Sequence, residues 1–140
     1  MSVEELIGAW RLLTYHDVDE ANGDLSEGPL GPDPRGLLIY ADSGHVSVGM
    51  MRGSGDPSYM GYAGTWRLDG TRVVHEVRVA SHSHLVGTDQ VRDAVLDGHR
   101  LTLRGTAVLD GHRLTQQGTV VSGQRRQRRV LVWERERDVE

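Results

Sequence analysis

A chain of 140 residues with 18 glycines and no cysteine has room for one domain around one core, and it excludes disulfides and thiolate chemistry. The formal net charge of −4 argues against nucleic acid as the partner, and no apolar run approaches the ~18 residues that span a membrane. The N-terminal MSVEELIGAW carries early acids and no apolar run of signal-peptide length, so a soluble, cytoplasmic protein is the default expectation.

Only the first residues read as helical. Ser2-Val3-Glu4-Glu5 fits a capping box, and Gly8 ends the turn, which is expected to plug one end of the fold. Turn dipeptides then punctuate the chain, among them Asn22-Gly23, Ser43-Gly44, Asp69-Gly70, Asp97-Gly98 and Asp110-Gly111. The segments between them alternate with period two, which predicts strands near 8–18, 36–41, 45–52, 61–68, 72–81, 87–96, 99–109, 112–121 and 127–136. Successive hairpins of this kind make an up-and-down meander. On so small a core, such a sheet closes into a single antiparallel β-barrel over residues 1–140 and so removes its exposed edges. The Pro- and Gly-rich stretches 26–36 and 53–59 read as irregular loops, placed either to edge a cavity mouth or simply to connect.

A two-residue turn fixes which residues share a face. With Asp69-Gly70 as the central pair, Leu68 pairs with Thr71 and Trp66 with Val73. Tyr62, Trp66, Leu68, Val73, His75, Val77 and Val79 then face inward, while Arg67, Arg72, Val74, Glu76 and Arg78 face outward. With Asp97-Gly98 treated alike, Ala94, Leu96, Leu101 and Leu103 face inward, and Arg92 joins them by parity. An inward guanidinium needs a protein carboxylate, an oxygen of a ligand, or an exit to water at the barrel end. The same parity turns Leu38, Tyr40, Val46, Val48 and Met50 inward. The interior is then either a filled core or a ligand cavity. In the second case Tyr40, Met50, Trp66, Leu38, Val77 and Leu103 would contact the ligand, with His75, Arg92 and Tyr62 as the chemical groups. His75 is the natural acid–base choice because imidazole titrates near neutrality, while Tyr40 or Tyr62 could donate to a developing oxyanion and Arg92 could stabilise it electrostatically.

Three further features carry less. VLDGHRLT occurs at 95–102 and again at 108–115, but the meander sets the two turns at opposite barrel ends. One strand, or roughly 30 Å, then separates His99 from His112, so the repeat is a doubled corner and not one site. His82-Ser83-His84 could begin a metal site on a strand, but no cupin-like glycine or later histidine accompanies it, and it reads as an exposed loop. The basic run GQRRQRRV at 123–130 reads as a solvated hairpin tip and outer strand face.

Several motifs in order resemble the bacterial lipocalin-like domain family: LIGAWRL (6–12), GPDPRGLLIY (31–40), YAGTW (62–66), VGTDQVR (86–92), LDGHRLTL (96–103) and LVWER (131–135). Gly8-Ala9-Trp10 matches the G-x-W of lipocalin first strands, and Arg135 or Arg137 would stack on that tryptophan to close the barrel base. The resemblance implies a calycin-type barrel that binds a hydrophobic small molecule. It permits, without demanding, a cofactor-free cyclase or isomerase acting on a polyketide-type natural-product intermediate. The alternatives are a non-catalytic carrier and a cupin-like metal enzyme using His82 and His84. No cofactor, nucleic acid or membrane partner is expected, and the exposed strand faces are compatible with a homodimer.

Overall fold

The computed structural model describes residues 1–55, 58–109 and 125–139, with side chains described except at 106–109 and 125–127. A helical turn, α1 (Val3–Leu6), leads into nine strands: β1 (Gly8–Asp19), β2 (Leu25–Glu27), β3 (Pro34–Tyr40), β4 (His45–Arg52), β5 (Tyr59–Asp69), β6 (Arg72–Ala80), β7 (Asp89–Asp97), β8 (Arg100–Leu109) and β9 (Arg125–Arg135). Strand β1 and strands β3 to β9 run as an antiparallel meander, and β9 pairs back onto β1 to close an eight-stranded barrel. Short β2 lies beside the far half of β1, where β3 has diverged.

The capping box forms as the sequence predicts: Ser2 Oγ accepts from the Glu5 amide, and Glu5 Oε1 accepts from the Ser2 amide. This turn carries Leu6 into the core and presents its carbonyl to the Trp10 indole N–H at 3.0 Å. Arg135 lies 4.2 Å over the Trp10 ring and donates to the carbonyls of Ile7 and Glu5. Gly8 makes this possible. Its φ of +131° strains any other residue, and a Cβ there would sit 3.1 Å from the Arg135 guanidinium. One cation thus closes the barrel base by stacking and by satisfying loose carbonyls at once.

The observed register corrects the predicted one by two residues. Leu68 pairs with Val73 and Trp66 with His75; Leu96 pairs with Leu101 and Ala94 with Leu103. The central turn residues are therefore Gly70-Thr71 and Gly98-His99, with φ of +62° at Gly70 and +60° at Gly98. No described non-glycine residue has positive φ, so only the first central position needs glycine, as in a II′ turn and unlike a I′ turn. A slip of two residues preserves side-chain parity, and the inward assignments of Trp66, His75, Ala94, Leu101 and Leu103 stand, all of them buried.

Val79 is the exception. It is 62% exposed, because a bulge places Ala63 opposite Val79 but Gly64 opposite Val77 and so reverses parity beyond Arg78. Gly64 permits the bulge: a Cβ there would fall 1.8 Å from the Glu76 carbonyl oxygen. Val74, on the outer face as predicted, is nonetheless buried. Two elements also differ from the sequence reading. Residues 26–36 are not wholly irregular, since they hold most of β2 and the start of β3. Strand β8 pairs directly with β9, from Arg100↔Glu134 to Leu109↔Arg125, and the predicted strand over 112–121 lies outside the described residues. His112 and the second turn of the repeat lie outside the described residues, whereas His99 is exposed in the Gly98-His99 turn.

Candidate functional site

The interior is not completely filled. A partly enclosed cavity of about 200 Å³ opens at the end opposite Trp10 and Arg135. This is smaller than the ~300–1,000 Å³ of pockets that hold drug-sized ligands. Its apolar wall includes Leu38, Val48, Met50, Met60, Leu103, Leu131 and Trp133. Its polar groups are Tyr15, Tyr62, His75, Gln90, Arg92 and Arg129, with His82 and His84 at the mouth.

Of the residues that sequence reasoning selects, Leu38, Met50, Tyr62, His75, Arg92 and Leu103 line this cavity. Tyr40, Trp66 and Val77 are buried but do not line it. The first two form a layer behind the wall instead. The Trp66 indole N–H donates to the Ala41 carbonyl at 3.0 Å, and its ring packs on Tyr40 with centroids 4.5 Å apart. Tyr40 in turn touches His75, its hydroxyl 2.7 Å from Nε2, while the Tyr62 hydroxyl is 2.6 Å from Nδ1 on the other side of the ring.

This bracket fixes proton positions. A neutral imidazole has one donor and one acceptor nitrogen, so one tyrosine donates to it and the other accepts. Tyr40 is 1% exposed, and among the described residues its hydroxyl has no partner except His75. If Tyr40 accepted, its O–H would be buried unmade, at a cost of about 1–3 kcal/mol. Tyr40 therefore donates to Nε2, the Nδ1–H donates to Tyr62, and the Tyr62 O–H is left to donate into the cavity that Tyr62 lines.

The electrostatics hold this arrangement at neutral pH. Burial, and secondarily the Arg92 guanidinium, lower His75 to about 3. Burial pushes Tyr62 up to about 12 against the opposing effect of Arg92, and burial pushes Tyr40 well above the usual phenol range. The reading of His75 as a group titrating near neutrality is thus corrected: the ring stays neutral and is a weak base.

Arg92 faces inward as its parity requires. Its guanidinium donates to the Val91 carbonyl at 2.9 Å and to Gln90 Oε1 at 3.1 Å, and it meets no carboxylate among the described residues. Sequence reasoning missed Arg129, which lay in a run read as solvated. It also missed Tyr15, whose hydroxyl accepts from Arg129 at 3.3 Å. The parity of Leu131 and Trp133 would have turned Arg129 inward; Tyr15 lies beyond a register shift between Leu12 and Thr14 that no turn residue marks. His82 and His84 flank the start of a 3-10 turn (Ser83–Leu85) and are exposed, as the loop reading expects. Their ring centroids are 5.9 Å apart, and among the described residues no third histidine or carboxylate joins them in a metal-ligating group.

The profile of the lipocalin-like domain family matches residues 7–57 and 54–136, the second segment alone covering more than half of the chain. The chain belongs to the lipocalin-like domain family. No curated protein matches it. The closed barrel, the helical turn before β1 and the Trp10–Arg135 stack are the lipocalin-like features of this structure, and the cavity lies where such a barrel is compatible with a small molecule. No helix among the described residues is long and apolar enough to cross a membrane.

Proposed function

We propose that this lipocalin-like barrel holds a hydrophobic, carbonyl-bearing small molecule with its carbonyl oxygen on the Tyr62 hydroxyl, and that it acts as a cofactor-free cyclase or isomerase on a polyketide-type intermediate. The observation that carries the proposal is the His75 bracket, which leaves the Tyr62 O–H as a free donor at an apolar wall. Such a donor needs no reorganisation when negative charge develops on a carbonyl oxygen, and it acts in a setting poor in competing water. Tyr40 and Trp66 are then positioning residues, which hold His75 and through it Tyr62. Arg92 adds positive charge at the same wall. A ring closure or double-bond shift that requires a polarised carbonyl and a held conformation fits this set.

A second reading is a carrier that binds without turnover. It is favoured by one observation: with His75 held at about 3 and no carboxylate on the described wall, no base of ordinary strength lines the inner cavity. Calorimetric titration with benzylideneacetone and with trans-1-phenyl-1-butene, in which CH2 replaces the carbonyl, tests the binding claim. The ketone should bind about tenfold tighter, one good hydrogen bond in a dry site, and Tyr62→Phe should abolish the difference. Equal affinity in the wild type would sink it. Incubation with a linear aryl poly-β-ketone, followed by chromatography with mass detection, separates the two readings. Faster cyclisation that is lost in Tyr62→Phe supports the enzyme, and binding with no acceleration supports the carrier.

A further inference from the structure

Four inward residues form one row across the open half of the barrel. Asp93 pairs with Arg104, so the next position sets Arg92 against Gly105; Gly105 pairs with Arg129, and Arg129 with Asp17. Arg92 and Arg129 are thus two strand spacings apart, ~10 Å between their Cα atoms, with no side chain between them. A Cβ at Gly105 would meet Cδ and Nε of Arg92, each at 3.0 Å, so the arginine lies across the bare backbone of β8.

Two guanidiniums therefore share one wall. Among the described residues that line the cavity there is no aspartate or glutamate. Among the described residues Arg92 is held by neutral oxygens, those of Val91 and Gln90. Arg129 has Asp17 behind it, but the Nε–Oδ1 distance of 3.6 Å is too long for a hydrogen bond. Asp17 Oδ1 and Arg129 Nε are both buried with no hydrogen-bond partner among the described residues. One loosely offset charge and one unmatched charge leave the cavity net positive, in surroundings where like charges repel more strongly than in water. A neutral carbonyl leaves that imbalance in place. A carboxylate accepts from two planar forks at once and relieves it.

We infer that the ligand of this cavity is a hydrophobic acid in its ionised form, with its carboxylate taken by Arg92 and Arg129 over Gly105. The inference rests on the proposal that the cavity holds a small molecule whose oxygen meets Tyr62, and it adds the charge of that molecule. Arg92 and Arg129 set specificity. Asp17, 3.6 Å from Arg129 Nε, competes with the ligand's carboxylate for that guanidinium.

The test extends the calorimetric series at pH 7.5 to trans-cinnamate, which matches benzylideneacetone in shape and differs in charge. Wild type should bind cinnamate about tenfold tighter than the ketone. Arg92→Met and Arg129→Met, checked for native circular dichroism, should each abolish that preference. Asp17→Asn keeps the shape and removes the competing charge. It should tighten cinnamate by roughly three- to tenfold and leave the ketone within about twofold, a gain that a merely structural role for Asp17 does not produce. Cinnamate binding no tighter than the ketone, or equally weakened by Asp17→Asn, would overturn the inference. The two proposals fail separately: a ketone no better than 1-phenyl-1-butene removes the Tyr62 reading, and a cinnamate no better than the ketone removes anion selection.

Discussion

His75 makes the stability of this barrel depend on pH in a way that one variant isolates. The ring is 2% exposed and is held at about 3, below the ordinary 6.5. Its folded form is therefore the neutral one, whereas in the unfolded chain the ring takes a proton as soon as pH drops below 6.5. The contribution is fully present above 6.5 and is lost as pH falls from 6.5 toward 3. At pH 4 that loss is about 3 kcal/mol, and over the whole window it approaches about 5 kcal/mol, a large part of a typical domain's stability. His75→Gln offers an uncharged side chain that can still accept from Tyr40 and donate to Tyr62. Its imperfect fit should cost about 1–2 kcal/mol at pH 7.5. Urea unfolding followed by tryptophan fluorescence at pH 7.5, 6, 5 and 4 should then give crossing curves, with wild type more stable at pH 7.5 and the variant more stable at pH 4. Asp17 works in the opposite direction, since burial raises its carboxyl and folding favours its protonated form, but it is common to both proteins and cancels in the difference. Parallel curves, with wild type ahead at every pH, would refute the neutral bracketed ring.

Other perturbations test the frame and the mouth. Arg135→Met removes the stack on Trp10 and two hydrogen bonds to carbonyls, and should cost about 2–4 kcal/mol by urea denaturation, with the cavity and its ligand affinity unchanged. Gly64→Ala places a methyl 1.8 Å from the Glu76 carbonyl oxygen, and should lower stability by about 3 kcal/mol as the bulge is forced open; a loss under ~0.5 kcal/mol would contradict the close approach. His82→Ala with His84→Ala should stay within about 0.5 kcal/mol of wild type, and chelator should leave the melting temperature unchanged. Stoichiometric metal in the purified protein, lost in that double variant, would restore the metal-enzyme reading.

The barrel was largely legible in the sequence because its signals are local. The capping box at Ser2, the Gly8-Ala9-Trp10 motif, the Asp-Gly corners and two-residue alternation each act over a few residues. They agree on one antiparallel meander. Parity survived even where the central turn residues were misassigned, because a slip of two leaves every side chain on its face. What failed depends on distant parts of the chain. Val79 turned outward because Gly64, on the neighbouring strand, lets β6 bulge; a glycine inside a strand is a signal, but it does not say which strand will move. Tyr40 and Trp66 were correctly inward, yet alternation cannot tell a wall from the layer behind it. That distinction needed the position of His75 between two hydroxyls. Arg129 was obscured by its neighbours: a basic run reads as solvent-facing, although every second residue of a barrel strand points inward. Its partner in the row, Arg92, was found because it stands among apolar residues. Gly105 carries no local signal of its role, which is to leave bare backbone under the Arg92 side chain.

In the proposed function Tyr62, oriented by His75, donates a hydrogen bond to a carbonyl oxygen inside the barrel. A crystal structure of the benzylideneacetone complex measures this directly. The carbonyl oxygen should lie about 2.7 Å from Tyr62 Oη and the phenyl ring among Leu38, Met50 and Leu103, with the contacts of His75 to both tyrosines unchanged. A ketone seated with its oxygen at the mouth, beside His82 and His84 and away from Tyr62, would contradict it.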